Sequence, residues 1–108
     1  MRYVLLLYAS DDEGVSPCPE RRAVVAELTR AGQHYASHAL ADTTSATTVR
    51  LRGGRMLLCD GPVAEGREQL RGVLVIDVRD LDEAIAVAAR APDAHSGAVE
   101  IRPVRETT

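Results

Sequence analysis

Two apolar segments of the chain predict the centre of a β-sheet. Residues 3–8 read Tyr-Val-Leu-Leu-Leu-Tyr, and residues 73–78 read Val-Leu-Val-Ile-Asp-Val. Successive side chains of a strand point to opposite faces, so a continuous apolar run predicts a strand that is covered on both faces. We therefore expect residues 3–8 and 73–78 to form two central strands.

Two further segments show the spacing of amphipathic helices. Ser16 offers an N-cap and Pro17 a first helical position, so the first helix is predicted over 17–31, with Gly32 as its stop. A second helix is predicted from a cap at Asp80 to its end at 91, before a proline. The side chains expected to face the sheet from these helices are Val24, Val25, Leu28, Leu81, Ile85 and Ala88.

The remaining segments predict outer strands. Residues 33–40 fit a short strand that places His34, Ala36, His38 and Leu40 on one face. Gly53-Gly54 fits the two-residue turn of a β-hairpin whose strands are 46–52 and 55–60. We expect a helical turn within 63–70, and residues 98–104 close the sheet.

With the hairpin set aside, the order strand, helix, strand occurs twice. This order predicts an α+β fold, a ferredoxin-like split βαβ sandwich with an inserted β-hairpin, as a single domain over 1–108. Two helices cover only one face of the sheet, and the other face would be a large exposed apolar patch. We therefore expect a homodimer built sheet against sheet, a dimeric α/β-barrel, that buries on the order of 1,500 Å² or more.

The composition and net charge of the chain exclude several classes of function. The chain of 108 residues has a net charge of -3, and its 13 basic residues are all arginine, which argues against a nucleic-acid partner and excludes a catalytic lysine. Two cysteines are too few for a disulfide framework or a zinc site, so we expect a reduced, cytoplasmic protein without metal or cofactor. No apolar run approaches the roughly 18 residues that span a membrane, and no membrane partner is expected.

Two polar residues are candidates for general acid–base catalysis. Asp60 ends a predicted strand before Gly61-Pro62, where its carboxylate could serve a ligand or a proton transfer, or could bond the backbone of its own turn. His38 could share a proton with Asp60 as an acid and base pair, or could be an ordinary surface or hydrogen-bonded histidine. His34 and His38 are too far apart along one strand to bind one metal ion.

Three charged residues are candidates for ligand binding. Arg50 could hold a carboxylate ligand or could close a structural ion pair with Glu65 or Glu68, and we favour the ion pair. Glu65 is a ligand-binding candidate because its carboxylate is expected beside Arg50. Asp77 interrupts an apolar strand, and because a buried unpaired carboxylate is costly, it should face a dimer cavity, solvent or an arginine.

Several strings in the chain resemble one protein family in order and spacing. These strings are Ala46-Thr47-Thr48-Val49-Arg50, Asp60-Gly61-Pro62-Val63-Ala64-Glu65, Glu68-Gln69-Leu70 with Gly72, and Asp80-Leu81-Asp82-Glu83-Ala84. Together they are similar to the YCII-related proteins of the DGPF type, over residues 3–104. The resemblance implies a ferredoxin-like subunit in a dimeric α/β-barrel, of unsettled activity and often encoded near sigma factors.

The chain departs from that family pattern at two places. Members of the family often carry a histidine in the first helix, whereas this chain has Glu20-Arg21-Arg22-Ala23 there. In addition, Val63 stands at the position where the family motif has a phenylalanine. Both departures argue against catalysis. We therefore expect a small homodimeric protein that binds a small molecule or regulates a partner, and the alternative is an enzyme that uses His38 and Asp60 on a small organic molecule.

Overall fold

A computed structural model describes residues 1–10 and 18–106. Six strands and three α-helices follow one another within these residues. They are β1 (Arg2–Ser10), α1 (Pro19–Arg30), β2 (His34–Ala39), β3 (Thr47–Arg52), β4 (Arg55–Asp60), β5 (Glu68–Asp77), α2 (Leu81–Arg90), α3 (Asp93–Ser96) and β6 (Ala98–Pro103), with a 3₁₀ turn at Thr43–Ser45.

The strands form two separate sheets. Four of them make an antiparallel sheet in the order β2-β5-β1-β6, with α1 joining β1 to β2 and α2 leading from β5 towards β6. This is the strand order of a ferredoxin-like split βαβ sandwich, so the α+β prediction is confirmed. The second sheet is the hairpin of β3 and β4, which is inserted between β2 and β5.

The hydrophobic core lies between the helices and one face of the main sheet. Burial alternates along β1, where Tyr3, Leu5 and Leu7 are buried and the residues between them are only partly covered. The buried side chains of the core cluster are Tyr3, Leu5, Leu7, Val24, Leu28, Leu74, Ile76, Val78, Ala84, Val87 and Ala88. A single chain thus covers one face of the sheet and leaves the other open.

Helix α1 begins later than the sequence suggests. Its first residue is Pro19 and its N-cap position is Cys18, which makes no capping hydrogen bond, while the expected cap at Ser16-Pro17 lies outside the described residues. Pro19 suits a first helical position as well as Pro17 does, because the missing N–H would be unpaired there. The predicted stop is confirmed, since Gly32 has φ 71° and its N–H donates to the carbonyl of Thr29 at 3.1 Å.

Helix α2 buries Ala88 as predicted, but the rest of its buried face differs from the predicted one. Leu81 and Ile85 are each 49 % exposed, whereas Ala84 and Val87 are buried with Ala88. The small alanine side chains let the helix backbone approach the sheet closely, which leaves the two larger residues outside. The predicted start is confirmed, because the Asp80 carboxylate accepts the Glu83 N–H at 3.0 Å.

Strand β5 is longer than predicted. It runs over Glu68–Asp77 rather than starting at 73, and residues 63–67 before it are not helical, so the expected helical turn within 63–70 does not form. The Gln69 side-chain amide is buried and donates to the carbonyls of Ala64 and Gly66, both at 3.0 Å. These bonds hold the preceding loop against the start of the strand.

The hairpin prediction is confirmed. Gly53 and Gly54 have φ values of 57° and 75°, the two positive angles that a type I′ turn requires. Cross-strand pairs run from Thr47 with Asp60 to Arg52 with Arg55.

The helices were also compared with the length and hydropathy of membrane spans. Among the described residues, none of them meets both requirements of a membrane-spanning helix.

Candidate functional site

A cavity of about 210 Å³ opens between α1 and the edge strand β2, on the helix-covered side of the main sheet. Leu7 and Leu74 come from the two central strands, Val25 from the helix, and Ser37 and Ala39 from the edge strand. The full lining is Leu7, Arg21, Arg22, Val25, Ser37, His38, Ala39, Val73 and Leu74. Five of these lining residues, Leu7, Val25, Ala39, Val73 and Leu74, have aliphatic side chains.

One of the two arginines at the cavity is fixed in place. The Arg21 guanidinium donates to Asp93 from Nε at 3.1 Å to Oδ1, and from Nη2 at 2.8 Å to Oδ2 and 2.9 Å to Oδ1. Asp93 is 2 % exposed and lies in α3, so the pair joins two helices. Burial disfavours the charge on Arg21, but the hydrogen bonds and the charge of Asp93 outweigh burial and raise the pKa of Arg21 above its ordinary value.

The second arginine is available to a ligand. Arg22 is exposed in the first half of α1, and among the described residues its guanidinium forms no hydrogen bond or ion pair. The Nη1 atom of Arg21 is likewise not used by Asp93. A guanidinium presents several N–H donors in one plane, which matches the two oxygens of a carboxylate. The rim of the cavity therefore offers cationic donors above aliphatic walls.

A bulge in β2 determines which face of the sheet each polar side chain of this edge strand points to. His34 pairs with Ile76 and Ala36 pairs with Val75, so Tyr35 is an extra residue and the register shifts there. His34 consequently faces the helices, where its Nε2 lies 3.1 Å from Ser37 Oγ. The prediction that His34 shares a face with Ala36 and His38 is therefore wrong, because the bulge reverses the alternation of side chains.

The predicted acid–base pair is divided between the two sheets. His38 pairs with Val73 in the main sheet and lines the cavity, whereas Asp60 pairs with Thr47 at the base of the hairpin. Both residues are exposed, and neither side chain makes a hydrogen bond in the described structure. Their action as one catalytic unit stays a prediction. His38 borders the cavity, but it shares a face with its cross-strand partner Val73, so its side chain lies on the open side of the main sheet.

The predicted ligand-binding residues lie elsewhere on the surface. Arg50 is exposed on the hairpin and Glu65 is exposed in the loop before β5, and the expected ion pair of Arg50 with Glu65 or Glu68 does not form within the described chain. Its absence follows from the hairpin, which carries Arg50 away from that loop as a sheet of its own. Asp77 accepts a hydrogen bond from the N-terminal amine at 3.2 Å and faces solvent, which is one of the outcomes expected for it.

Metal-ligating groups do not cluster in the part of the chain that the structure describes: no set of three or more His, Cys, Asp or Glu there could hold an ion. Both Cys18 and Cys59 are free thiols. The donors that the cavity offers are guanidinium and hydroxyl groups, which recognise anions.

Reasoning from sequence missed Arg21, Arg22 and Asp93. Arg21 and Asp93 are 72 positions apart, so no local pattern links them. The one available signal was the arginine pair in the first helix at the place where the related family often has a histidine.

Comparison with known proteins gives two findings. The model of the YCII-related domain matches residues 1–108 of the chain. The chain is also similar to an uncharacterized protein of Rhizobium meliloti (strain 1021), with 34 % identity over 116 aligned residues that cover 96 % of this chain and 92 % of the relative. The match extends over the cavity and the hairpin alike, and the chain therefore belongs to the family of proteins with a YCII-related domain.

Proposed function

We propose that this chain is a homodimeric binding protein for a small organic carboxylate, with its site in the cavity between α1 and β2. The observation that carries the proposal is that the cavity has aliphatic walls and that Arg22, at its rim, makes no hydrogen bond or ion pair with the described residues. An apolar cavity with a few convergent polar groups is the usual form of a small-molecule site.

The volume of the cavity limits the size of the ligand. At about 210 Å³ it is smaller than the roughly 300–1,000 Å³ of pockets that hold drug-sized molecules. A short aliphatic chain of four to six carbons suits the walls formed by Leu7, Val25 and Leu74, and its carboxylate would meet Arg22. The fixed Arg21 would offer the N–H groups of its Nη1 atom, which Asp93 does not use, as further donors at the same end of the cavity.

A calorimetric titration with butyrate, hexanoate and hexanol tests the proposal. We expect saturable binding of the carboxylates, tightest for the one that fills the walls, and at least about tenfold weaker binding of the alcohol, because a hydrogen bond to a charged group contributes about 1.5–3 kcal/mol. Arg22→Gln should weaken hexanoate binding by a similar factor. Arg30→Gln, on the same helix but outside the cavity lining, is the matched control. Equal affinity of both variants for hexanoate would refute the site.

The homodimer is proposed from the open face of the main sheet. Val4 and Leu6 of β1 lie beside Val75 and Val73 of β5 on this face, and all four are only partly buried. Charged groups surround this apolar centre: Arg2 lies 4.3 Å from the ring centroid of Tyr35, and Arg102 pairs with Glu100. An apolar centre with a polar rim is the usual anatomy of a protein interface.

Sedimentation equilibrium tests the dimer. We expect a species of twice 11.6 kDa at micromolar concentration. Leu6→Glu would place a charge at the centre of the open face and should yield a folded monomer, whereas Glu100→Gln at the rim should leave the dimer intact. A wild-type chain that sediments as a monomer would refute the assembly.

Two finer assignments belong with this proposal. We propose that the chain is of the DGPF type of the family, and the string from Asp60 to Glu65 supports this, with Val63 in place of the motif phenylalanine. Two free thiols suit the reduced environment of the cytoplasm, and we propose that compartment.

A further inference from the structure

The hairpin of β3 and β4 has one strongly apolar face. Val49 pairs with Leu58 and Leu51 pairs with Met56, so these four side chains lie together on one side of the two strands. They are 57 %, 64 %, 66 % and 63 % exposed, respectively. We call these four residues the hairpin patch. The opposite side of the hairpin carries Arg50, Arg52 and Arg55 beside Leu57 and Cys59.

The hairpin projects from the rest of the chain. Within residues 1–10 and 18–106 its strands pair only with each other, and six residues per strand extend over about 20 Å. The radius of gyration is 15.5 Å, against about 13 Å for a compact domain of this length. An isolated two-stranded hairpin is marginally stable in water, so a patch of this size needs a surface to pack on.

Charge and area favour a second copy of this chain as that surface. Residues 47–60 carry three arginines and one aspartate, a net charge of +2, whereas the whole chain carries -3, so the rest of the chain carries -5. The accessible surface of 7413 Å² is about 1,600 Å² larger than that of a compact monomer of this mass, which is more than the roughly 800 Å² that one partner contributes to a standard interface. A basic arm and an acidic body in one chain attract each other between two copies.

We propose that the hairpin is a dimerisation arm that packs the hairpin patch onto the second copy, in addition to the contact between the main sheets. This inference rests on the homodimer proposed above. A two-fold axis makes the arm contact twice, so each subunit both supplies an arm and receives one.

Sedimentation of charge variants at low concentration tests the arm. Met56→Glu and Leu58→Glu place a carboxylate in the hairpin patch, and each should weaken the dimer by at least about tenfold, because the buried side chain loses its apolar contact. Leu57→Glu is the matched control: it lies between them on the same strand, is 47 % exposed and points to the opposite side. It should change the dimer dissociation constant by less than about threefold. Far-UV circular dichroism should be unchanged in all three variants.

A cross-linking measurement separates the arm from the dimer itself. A photo-reactive amino acid at position 56, in an equal mixture of ¹⁴N- and ¹⁵N-labelled chains, should give cross-links between light and heavy chains. If Met56→Glu and Leu58→Glu dimerise as tightly as the wild-type chain, and cross-links form only within one chain, the proposal of a dimerisation arm is refuted. The proposed contact between the main sheets would still stand. A monomeric wild-type chain would overturn both.

Discussion

Replacing Asp93 with asparagine should destabilise the protein by about 2 kcal/mol. Asp93 accepts three hydrogen bonds from Arg21, at 2.8 to 3.1 Å, and is 2 % exposed. Hydrogen bonds to charged groups contribute about 1.5–3 kcal/mol. A fully buried pair costs 3–5 kcal/mol when one partner is removed, but the Arg21 side chain is 30 % exposed and can turn towards water, which lowers the loss.

The assay is thermal and urea unfolding at one fixed protein concentration. A loss of 2 kcal/mol corresponds to a fall in Tm of about 10 °C for a domain of this size. Glu65→Gln, an exposed carboxylate in a loop, is the control and should change stability by less than about 0.5 kcal/mol. In a double-variant cycle, Arg21→Gln and Asp93→Asn should be coupled by at least 1 kcal/mol, to order of magnitude. Additive effects, or a loss below about 0.5 kcal/mol for Asp93→Asn, would refute the reasoning.

Three further predictions concern the core and the helix ends. Leu28→Ala should cost about 3 kcal/mol because Leu28 is 1 % exposed, whereas Ile85→Ala should cost less than about 1 kcal/mol; urea unfolding compares the two. Gly97→Ala should destabilise by more than about 2 kcal/mol, because a Cβ at Gly97 would lie 2.0 Å from the carbonyl oxygen of Tyr8, and a fully stable variant would contradict that approach. Asp80→Ala should cost about 1 kcal/mol through loss of the cap of α2, whereas Asp80→Asn should retain most of the stability.

The elements with local signals were predictable from sequence. The Gly53-Gly54 turn and the Asp80 cap depend on residues that are neighbours in the chain, and both formed as expected. The two central strands were also predictable, because a short continuous apolar run in a chain of this size indicates a strand that is buried on both faces.

The orientation of α2 was not predictable in the same way. Its sequence is apolar at most positions after Glu83, so more than one stripe could face the sheet. The choice of Ala84 and Ala88 over Ile85 is made by the close approach of helix and sheet, a tertiary effect that periodicity does not contain. The bulge at Tyr35 is a similar case, because one extra residue in β2 reverses the faces that simple alternation assigns.

The candidate site was least visible in the sequence. Its arginines come from α1, its partner carboxylate Asp93 from a four-residue helix that was not predicted, and its walls from β1, β2 and β5. His38 is the one predicted site residue that lines the cavity. Sites assembled from distant segments depend on the packing of the whole domain, whereas Asp60 and Arg50 were chosen from motifs within the hairpin.

Ligand mapping by NMR tests the binding proposal most directly. Addition of hexanoate to the ¹⁵N-labelled wild-type chain should shift amide resonances saturably, and the largest shifts should cluster at Arg22, Val25, Ser37–Ala39 and Leu74 around the cavity. Arg22→Gln should reduce these shifts at the same ligand concentration. Absence of saturable shifts, or shifts concentrated on residues remote from the cavity, would contradict the account.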